Sequence, residues 1–472
     1  MTFHQAGRDR ESVEALRHAV RLQPAVAELW CDLGIMLAHL EAWDEAEDAY
    51  RRAVQVRSDF PEALNNLGNL LRRRGCVSEA IPCYQSALRH RADFVEAHYN
   101  LGLALQSFDH LEEAQSCYAT VLGLNPRLAA AQNNLANTLQ SLGAVSQAMP
   151  YYHRAVELAG ANTDFRVNLG MAQLLLGQFG EGWRNYSARG ADRVPGVALW
   201  DGSPLQGRRI LLRAEQGFGD TIQFIRYGGM LKQRGGFVLL SCPPALTRLL
   251  ATAQGIDHLL PEDRELPACD FWAPLLHLPG ILQTRLETIP AHTPYLSVDP
   301  ELARQWVESL RLPASHLKVG IAWRGSPAHH NDGNRSIAPA ELAALAEVPD
   351  TSFVSLQPGC PGGCPESRLP FVPLGRELTD FADTAALVIG LDLVISVDTS
   401  VAHLAGALAR PVWTLLPFAP DWRWMRERAD SPWYPTMKLF RQSRRKDWPG
   451  VLARLREELS ALARTSRSEP RR

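Results

Sequence analysis

Trp30-Cys31-Asp32-Leu33-Gly34 ends in a pair, Leu33-Gly34, that returns as Leu67-Gly68, Leu101-Gly102, Leu135-Ala136 and Leu169-Gly170. The step is 34 residues each time. Two more columns keep it: Ala46, Ala80, Ala114 and Ala148, closing in Gly182, and Tyr50, Tyr84, Tyr118, Tyr152 and Tyr186. A fixed period of this length predicts stacked helix hairpins, none of which buries its apolar face alone. Small residues let the two helices of a hairpin approach, and Leu and Tyr fill the space between them. Pro24 and Pro126 stand where a second helix should stop. Residues 9–24 keep the phase at Leu16, Ala19 and Pro24 but supply only a second helix. Either the array opens on a bare helix or its true start lies earlier.

On these columns, residues 1–190 resemble tetratricopeptide repeats. The resemblance implies a peptide or protein partner on a concave face. Asn65, Asn66, Asn69, Asn100, Asn133, Asn134, Asn137 and Asn168 are read as exposed, and an Asn side chain can pair with both donor and acceptor of an extended peptide. The plainer alternative is solvated or hairpin-packing positions.

With 472 residues, two or three domains are expected. A formal net charge of -2 removes the usual electrostatic reason to expect nucleic acid or an anionic membrane surface as partner. The best apolar stretch, Thr384 to Val397, is broken by Asp392 and falls short of the roughly 18 residues a transmembrane segment needs. Arg8, Asp9, Arg10 and Glu11 occupy the place of a signal peptide's apolar core, which points to the cytoplasm. Eight scattered cysteines suit reduced thiols. Cys360 and Cys364 flank a Pro/Gly turn, but no second Cys/His pair at zinc spacing follows, so no metal is expected.

The helical period ends near Arg189. Residues 191–207, rich in Gly and Pro, read as a linker. Short apolar runs then alternate with amphipathic ones, the mark of parallel sheets with crossover helices. One series covers 208–312, with strands at Arg209–Arg213 and Phe237–Ser241. A second covers 313–464, with strands at Val319–Trp323, Phe353–Leu356, Leu393–Val397 and Val412–Leu416. The expected fold class is α followed by α/β, an all-helical solenoid and two Rossmann-like lobes. A last helix, Pro449 to Ala463, is expected to fold back on the first lobe, and 465–472 to be a disordered tail.

Two loops follow strands, where open α/β sheets bind ligands. In Gln216-Gly217-Phe218-Gly219-Asp220-Thr221, glycines permit a tight turn and close backbone approach. Asp220 opens a helix, where a carboxylate accepts backbone N–H bonds, so simple capping is the plain alternative. In Asp398-Thr399-Ser400-Val401-Ala402-His403, a helix begins whose N–H groups and dipole favour an anion such as a diphosphate. The alternative there is a capped helix with a core histidine.

The two loops together, with Trp323-Arg324-Gly325, Arg335-Ser336, Asp421-Trp422-Arg423-Trp424 and Ser431-Pro432-Trp433-Tyr434, resemble the heptosyltransferases, and more closely bacterial tetratricopeptide proteins carrying a glycosyltransferase domain of that type. The resemblance implies a GT-B fold, with the acceptor toward the first lobe and a nucleotide sugar on the second. It implies inversion without an essential metal or cofactor, the nucleotide sugar being the substrate. Asp220 becomes the candidate base. Gln216, Gly217 and Gly219 become the acceptor-side loop. Asp398, Thr399, Ser400 and His403 become donor contacts, with Arg324 and Arg335 as phosphate partners. Where heptosyltransferases carry a phosphate-binding lysine, this chain has Trp323-Arg324-Gly325, which leaves the donor's identity open. Asp421-Trp422-Arg423-Trp424 either shapes a sugar pocket or packs the lobe edge. The rival reading is a non-catalytic scaffold with a degenerate transferase. A nicotinamide-dependent oxidoreductase is disfavoured, because Gly217-x-Gly219 lacks the third glycine of its fingerprint.

Overall fold

The structure is a computed structural model that describes residues 3–190, 193–313, 315–329, 331–360 and 362–468. It divides into two compact units, Met1–Asn168 and Leu169–Arg472. Among the described residues no helix is long and apolar enough to cross a membrane.

The first unit is built of helix hairpins. A 20-residue helix, Phe3–Leu22, comes first. From Ala27 to Leu158, helices of 13 and 14 residues then alternate. Helices end at Leu22 and Leu124, just before Pro24 and Pro126. The glycine column is explained by the tyrosine column. A methyl group added at Gly34, Gly68 or Gly102 would lie 2.7 Å from the ring of Tyr50, Tyr84 or Tyr118. These glycines therefore set how closely the two helices of each hairpin approach.

The asparagines are not exposed; each is buried or half-buried. Four of them bond to the preceding repeat at a constant offset of 35 residues. Asn66 Nδ2 donates to Cys31 Sγ (3.8 Å), Asn100 to Asn65 Oδ1 (3.0 Å), Asn134 to Tyr99 Oη (3.0 Å) and Asn168 to Asn133 Oδ1 (3.0 Å). Asn69 and Asn137 accept from the hydroxyls of Tyr84 and Tyr152 at 2.9 and 2.8 Å. Buried amides need partners, and these find them inside the array. The expectation of an exposed ladder is thus corrected to an internal seam.

The second unit opens inside the helix Thr163–Leu175, which packs on the helix Phe179–Tyr186 as the last hairpin of the series. Two parallel sheets follow. The first contains β1 (Ala198–Leu199), β2 (Arg209–Arg213), β3 (Phe237–Cys242), β4 (His258–Pro261) and β5 (Phe271–Pro274), in the order β1-β5-β2-β3-β4. The second contains β6 (Leu317–Ala322), β7 (Thr351–Ser355), β8 (Phe371–Val372), β9 (Leu393–Val397), β10 (Val412–Leu416) and β11 (Met437–Arg441), in the order β11-β10-β9-β6-β7-β8. All pairings in both sheets are parallel. The core strands are buried along their length, as β9 is, because helices cover both faces.

Strand order reverses between β5 and β2 in one sheet and between β9 and β6 in the other. These are the topological switch points, where crevices open beyond the strand ends. The loop Glu215–Asp220 leaves β2 at the first. The loops beginning at Trp323 and Asp398 leave β6 and β9 at the second.

Three expectations change. β1 lies within the stretch read as a linker. The final helix, Trp448–Ser468, packs on the second lobe, where Val451, Leu452, Leu455 and Leu459 join a core with Val319, Phe353 and Ile395. That helix also carries the chain past Thr465, whose Oγ1 donates to the carbonyl of Ala461 (3.1 Å). The remainder of the expected tail, 469–472, lies outside the described residues.

Candidate active site between the two lobes

After β2 the backbone turns through Gln216, which takes a left-handed φ of 60°, into the helix Phe218–Phe224. Gln216 and Gly217 are exposed. Asp220 is the third residue of this helix and reaches back, its Oδ2 accepting the N–H of Gly217 (3.0 Å). The capping role is therefore real, but it uses one oxygen. The other, Oδ1, forms an ion pair with Nη2 of Arg423 from the opposite lobe.

Arg423 is 7% exposed and fully engaged. Besides Asp220 it donates to Asp421 Oδ1 (2.9 Å) and to Gln223 Oε1 (2.7 Å), and its guanidinium lies 4.3 Å from the Trp422 ring centre. Burial alone would make it easier to deprotonate, but the charges of Asp421 and Asp220 outweigh that and hold it firmly protonated. A second arginine crosses the other way. Arg226, from the first lobe, donates to the carbonyl of Trp433 (2.7 Å) and stacks 4.5 Å from Tyr434. A buried arginine unpaired would be costly, so each lobe stabilises the other's.

On the second lobe, Thr399 caps the helix Ser400–Ala407, its Oγ1 accepting from Val401 N (3.3 Å) and lying 3.0 Å from Ser396 Oγ. His403 is buried, with Nδ1 2.9 Å from Tyr434 Oη and its ring stacked on Trp424 at 5.3 Å. Burial, with the positive Arg423 and Arg226 nearby, pushes its pKa well below the usual value, so the ring is neutral. A methyl at Gly219 would sit 2.9 Å from His403 Cδ2 and 3.4 Å from Ser400 Cα. Gly219 is what lets the two candidate loops meet.

Asp398 behaves unlike an ordinary surface carboxylate. Burial, then the negative charge of Asp421, raises its pKa to about 6 against the pull of Arg423 and Arg335. Arg335 donates from Nη1 to the carbonyl of Asp398 (3.1 Å) and pairs with Asp332 (3.3 Å). Its guanidinium fills the space that a side chain on Gly325 would need. Arg324 is exposed; its backbone N–H donates to Gln357 Oε1 (3.0 Å).

The structure thus brings together Gly219, Ser400 and His403, and separately Arg335 and Asp398. Gln216 and Arg324 stand at the solvent edge. The two tryptophans of Asp421-Trp422-Arg423-Trp424 are buried, Trp422 against Trp183 and Tyr186 and Trp424 against His403. Sequence reasoning missed the partnership of Arg423 with Asp220, although a charged residue between two tryptophans was a signal that it is buried and paired. The partners of Glu215 were not legible either: it pairs with Arg189 (2.5 Å) and accepts from Leu276 N (3.2 Å). Among the described residues no group of three His, Cys, Asp or Glu side chains is arranged to hold a metal ion.

Comparison with known proteins agrees with this architecture. Residues 374–442 match the family model for glycosyltransferase family 9 (heptosyltransferase), a stretch that includes Asp398–His403 and Asp421–Tyr434 but not Asp220. Tetratricopeptide-repeat models match residues 4–63, 68–107, 95–128 and 128–160. Protein FlbA of Caulobacter vibrioides is 27% identical over 328 residues, covering 61% of this chain and 54% of that protein. The chain therefore spans about half the length of the curated relative it matches. Among solved structures, YrrB, described as a TPR protein with an unusual peptide-binding site, is 18% identical, covers 37% of this chain and 91% of its own, and has a TM-score of 0.34. The pilF protein of Pseudomonas aeruginosa is 20% identical, with coverages of 39% and 83% and a TM-score of 0.35. The chain thus joins tetratricopeptide repeats to a region with two parallel sheets that is similar, over residues 374–442, to glycosyltransferase family 9.

Proposed function

We propose that the second unit transfers a sugar from a nucleotide-activated donor to a hydroxyl on a glycan, lipid or protein, in the cytoplasm, with inversion and without an essential metal. The observation that carries this reading is the family 9 match over Asp398–His403, a loop that leaves β9 at the switch point of the second sheet. The donor's diphosphate would lie at the N-terminus of the helix Ser400–Ala407, with Arg324 and Arg335 alongside and His403 and Asp398 closing the site. Asp220 would take the proton of the acceptor hydroxyl as that oxygen attacks the anomeric carbon. The bond from that carbon to the diphosphate oxygen breaks, and the nucleoside diphosphate leaves as an anion stabilised by N–H groups and guanidinium. The repeats would bind a protein partner or a protein acceptor.

The scaffold reading draws support from one observation: Oδ1 of Asp220 is already engaged by Arg423. A thermal-shift and calorimetric screen of the full chain against UDP-, GDP-, ADP- and CMP-sugars separates the two. A ligand that binds only the folded protein raises its apparent stability. One nucleotide class should give a clear shift that His403→Ala weakens. A well-folded chain with no shift for any class would favour the scaffold.

A further inference from the structure

The last hairpin of the series does more than end it. Trp183 and Tyr186 of the helix Phe179–Tyr186 are both buried. Both meet the Trp422 ring edge-on, at centroid distances of 5.2 and 5.6 Å. The Trp183 indole N–H donates to the carbonyl of Thr284 (3.0 Å), which fixes that ring from behind. Trp422 in turn carries the Arg423 guanidinium on its face, and Arg423 holds Asp220. A second, separate contact reaches the same loop from the same hairpin. Arg189, just beyond it, pairs with Glu215 at 2.5 Å and is 8% exposed at its side chain. The hairpin, with Arg189 just beyond it, thus reaches both ends of Glu215–Asp220, one through Arg189 and the other through Trp422 and Arg423.

We propose that this hairpin is a working part of the transferase site, with Trp183 and Arg189 as positioning residues that set the carboxylate of Asp220. The inference rests on the reading of Asp220 as the base. Edge-to-face aromatic contacts add to the stabilisation that burial of the rings gives. A small displacement of a group that must meet an acceptor hydroxyl matters more for rate than for stability, because catalysis depends on the alignment of reacting atoms. The repeat-like hairpin would then brace the catalytic loop.

The test uses the full chain. Trp183→Ala removes a large buried ring and is at risk of not folding, so Trp183→Phe and Arg189→Gln are the informative variants. Hydrogen exchange of amides 215–221 reads the loop directly, without any substrate. Both variants should speed exchange there by about tenfold or more while β9 and the helix Ser400–Ala407 keep their protection. With a donor and acceptor in hand, kcat should fall by about tenfold or more and donor KM should change less than threefold. Arg189→Lys, which keeps the pair with Glu215, should recover most of the loss. Unchanged exchange at 215–221 in both folded variants overturns the proposal, as does a rise in donor KM with kcat intact. If the wild-type chain shows no transferase activity, the reading of the site fails while the exchange result still decides whether the hairpin braces the loop.

Discussion

Arg423 of the second lobe and Asp220 of the first form an ion pair across the cleft, and Arg423 is held at the same time by Asp421 and Gln223. The candidate base is therefore tied to the second lobe. Asp220→Asn should keep the fold, at a cost of about 1–3 kcal/mol in unfolding free energy from the weakened hydrogen bonding of a buried arginine. Turnover of the donor found by screening should fall at least about a hundredfold, the usual range for loss of a general base. Normal turnover in a folded variant would remove Asp220 from that role.

Replacing Arg423 by Met leaves Asp220 and Asp421 without their shared cation. Unpairing a buried ion pair by removing one partner costs about 3–5 kcal/mol. The double variant Asp220→Asn/Arg423→Met should lose less than the sum of the single losses, by roughly 0.5–3 kcal/mol. Denaturant unfolding of all four proteins closes the cycle. Strict additivity would mean the pair contributes nothing.

Gly219→Ala tests how closely the two loops meet. The added methyl would press on His403, which is pinned between Tyr434 and Trp424 and has nowhere to retreat. Overpacking of this kind costs about 1–3 kcal/mol. A lowered melting temperature together with weakened nucleotide binding is expected. An unperturbed variant would show that the loops stand further apart.

Asp398 gives the site a pH signature. Its folded pKa, about 6, lies above its ordinary 3.8. The folded protein therefore holds a proton that the unfolded chain releases. That contribution to stability is complete below about pH 4 and is lost as pH rises through 6. Asp398→Asn lacks this loss. The melting-temperature difference, variant minus wild type, should grow between pH 4 and pH 7, and a constant difference would contradict the assignment.

Much of this architecture was readable from periodicity. The columns at Leu33, Gly34, Ala46 and Tyr50 predicted the hairpins because a repeated helix contact needs the same residue at the same step. Strands such as β9 were readable because a central parallel strand is apolar throughout. β1, β4, β5, β8 and β11 were not, since strands of two to five residues carry little or no period. The asparagines were misjudged for another reason. Composition says a side chain is polar, but not whether its partner is water or another amide 35 residues away. Asp220 and His403 were visible as loop residues; that Arg423 holds Asp220 was not, because the contact joins positions 203 residues apart.

Gly68→Ala checks the array itself. A methyl 2.7 Å from the Tyr84 ring should lower stability by about 1–3 kcal/mol. Thermal unfolding checks this, and a melting temperature equal to that of the wild type would mean that the glycine column is not set by the tyrosines.

The asparagine seam bears on how such a protein can vary in lineage. Each Asn of this column reaches the position 35 residues earlier, whether a cysteine, an asparagine or a tyrosine stands there. A duplicated or deleted block keeps that spacing, whereas a gain or loss of one residue sets each amide against the wrong position. Whole-block changes before Thr163 would also leave Trp183 on Trp422 and Arg189 on Glu215. The number of repeats is thus a trait this sequence can change by gene-level copying, in fixed increments, while the contacts of the second unit stay as they were.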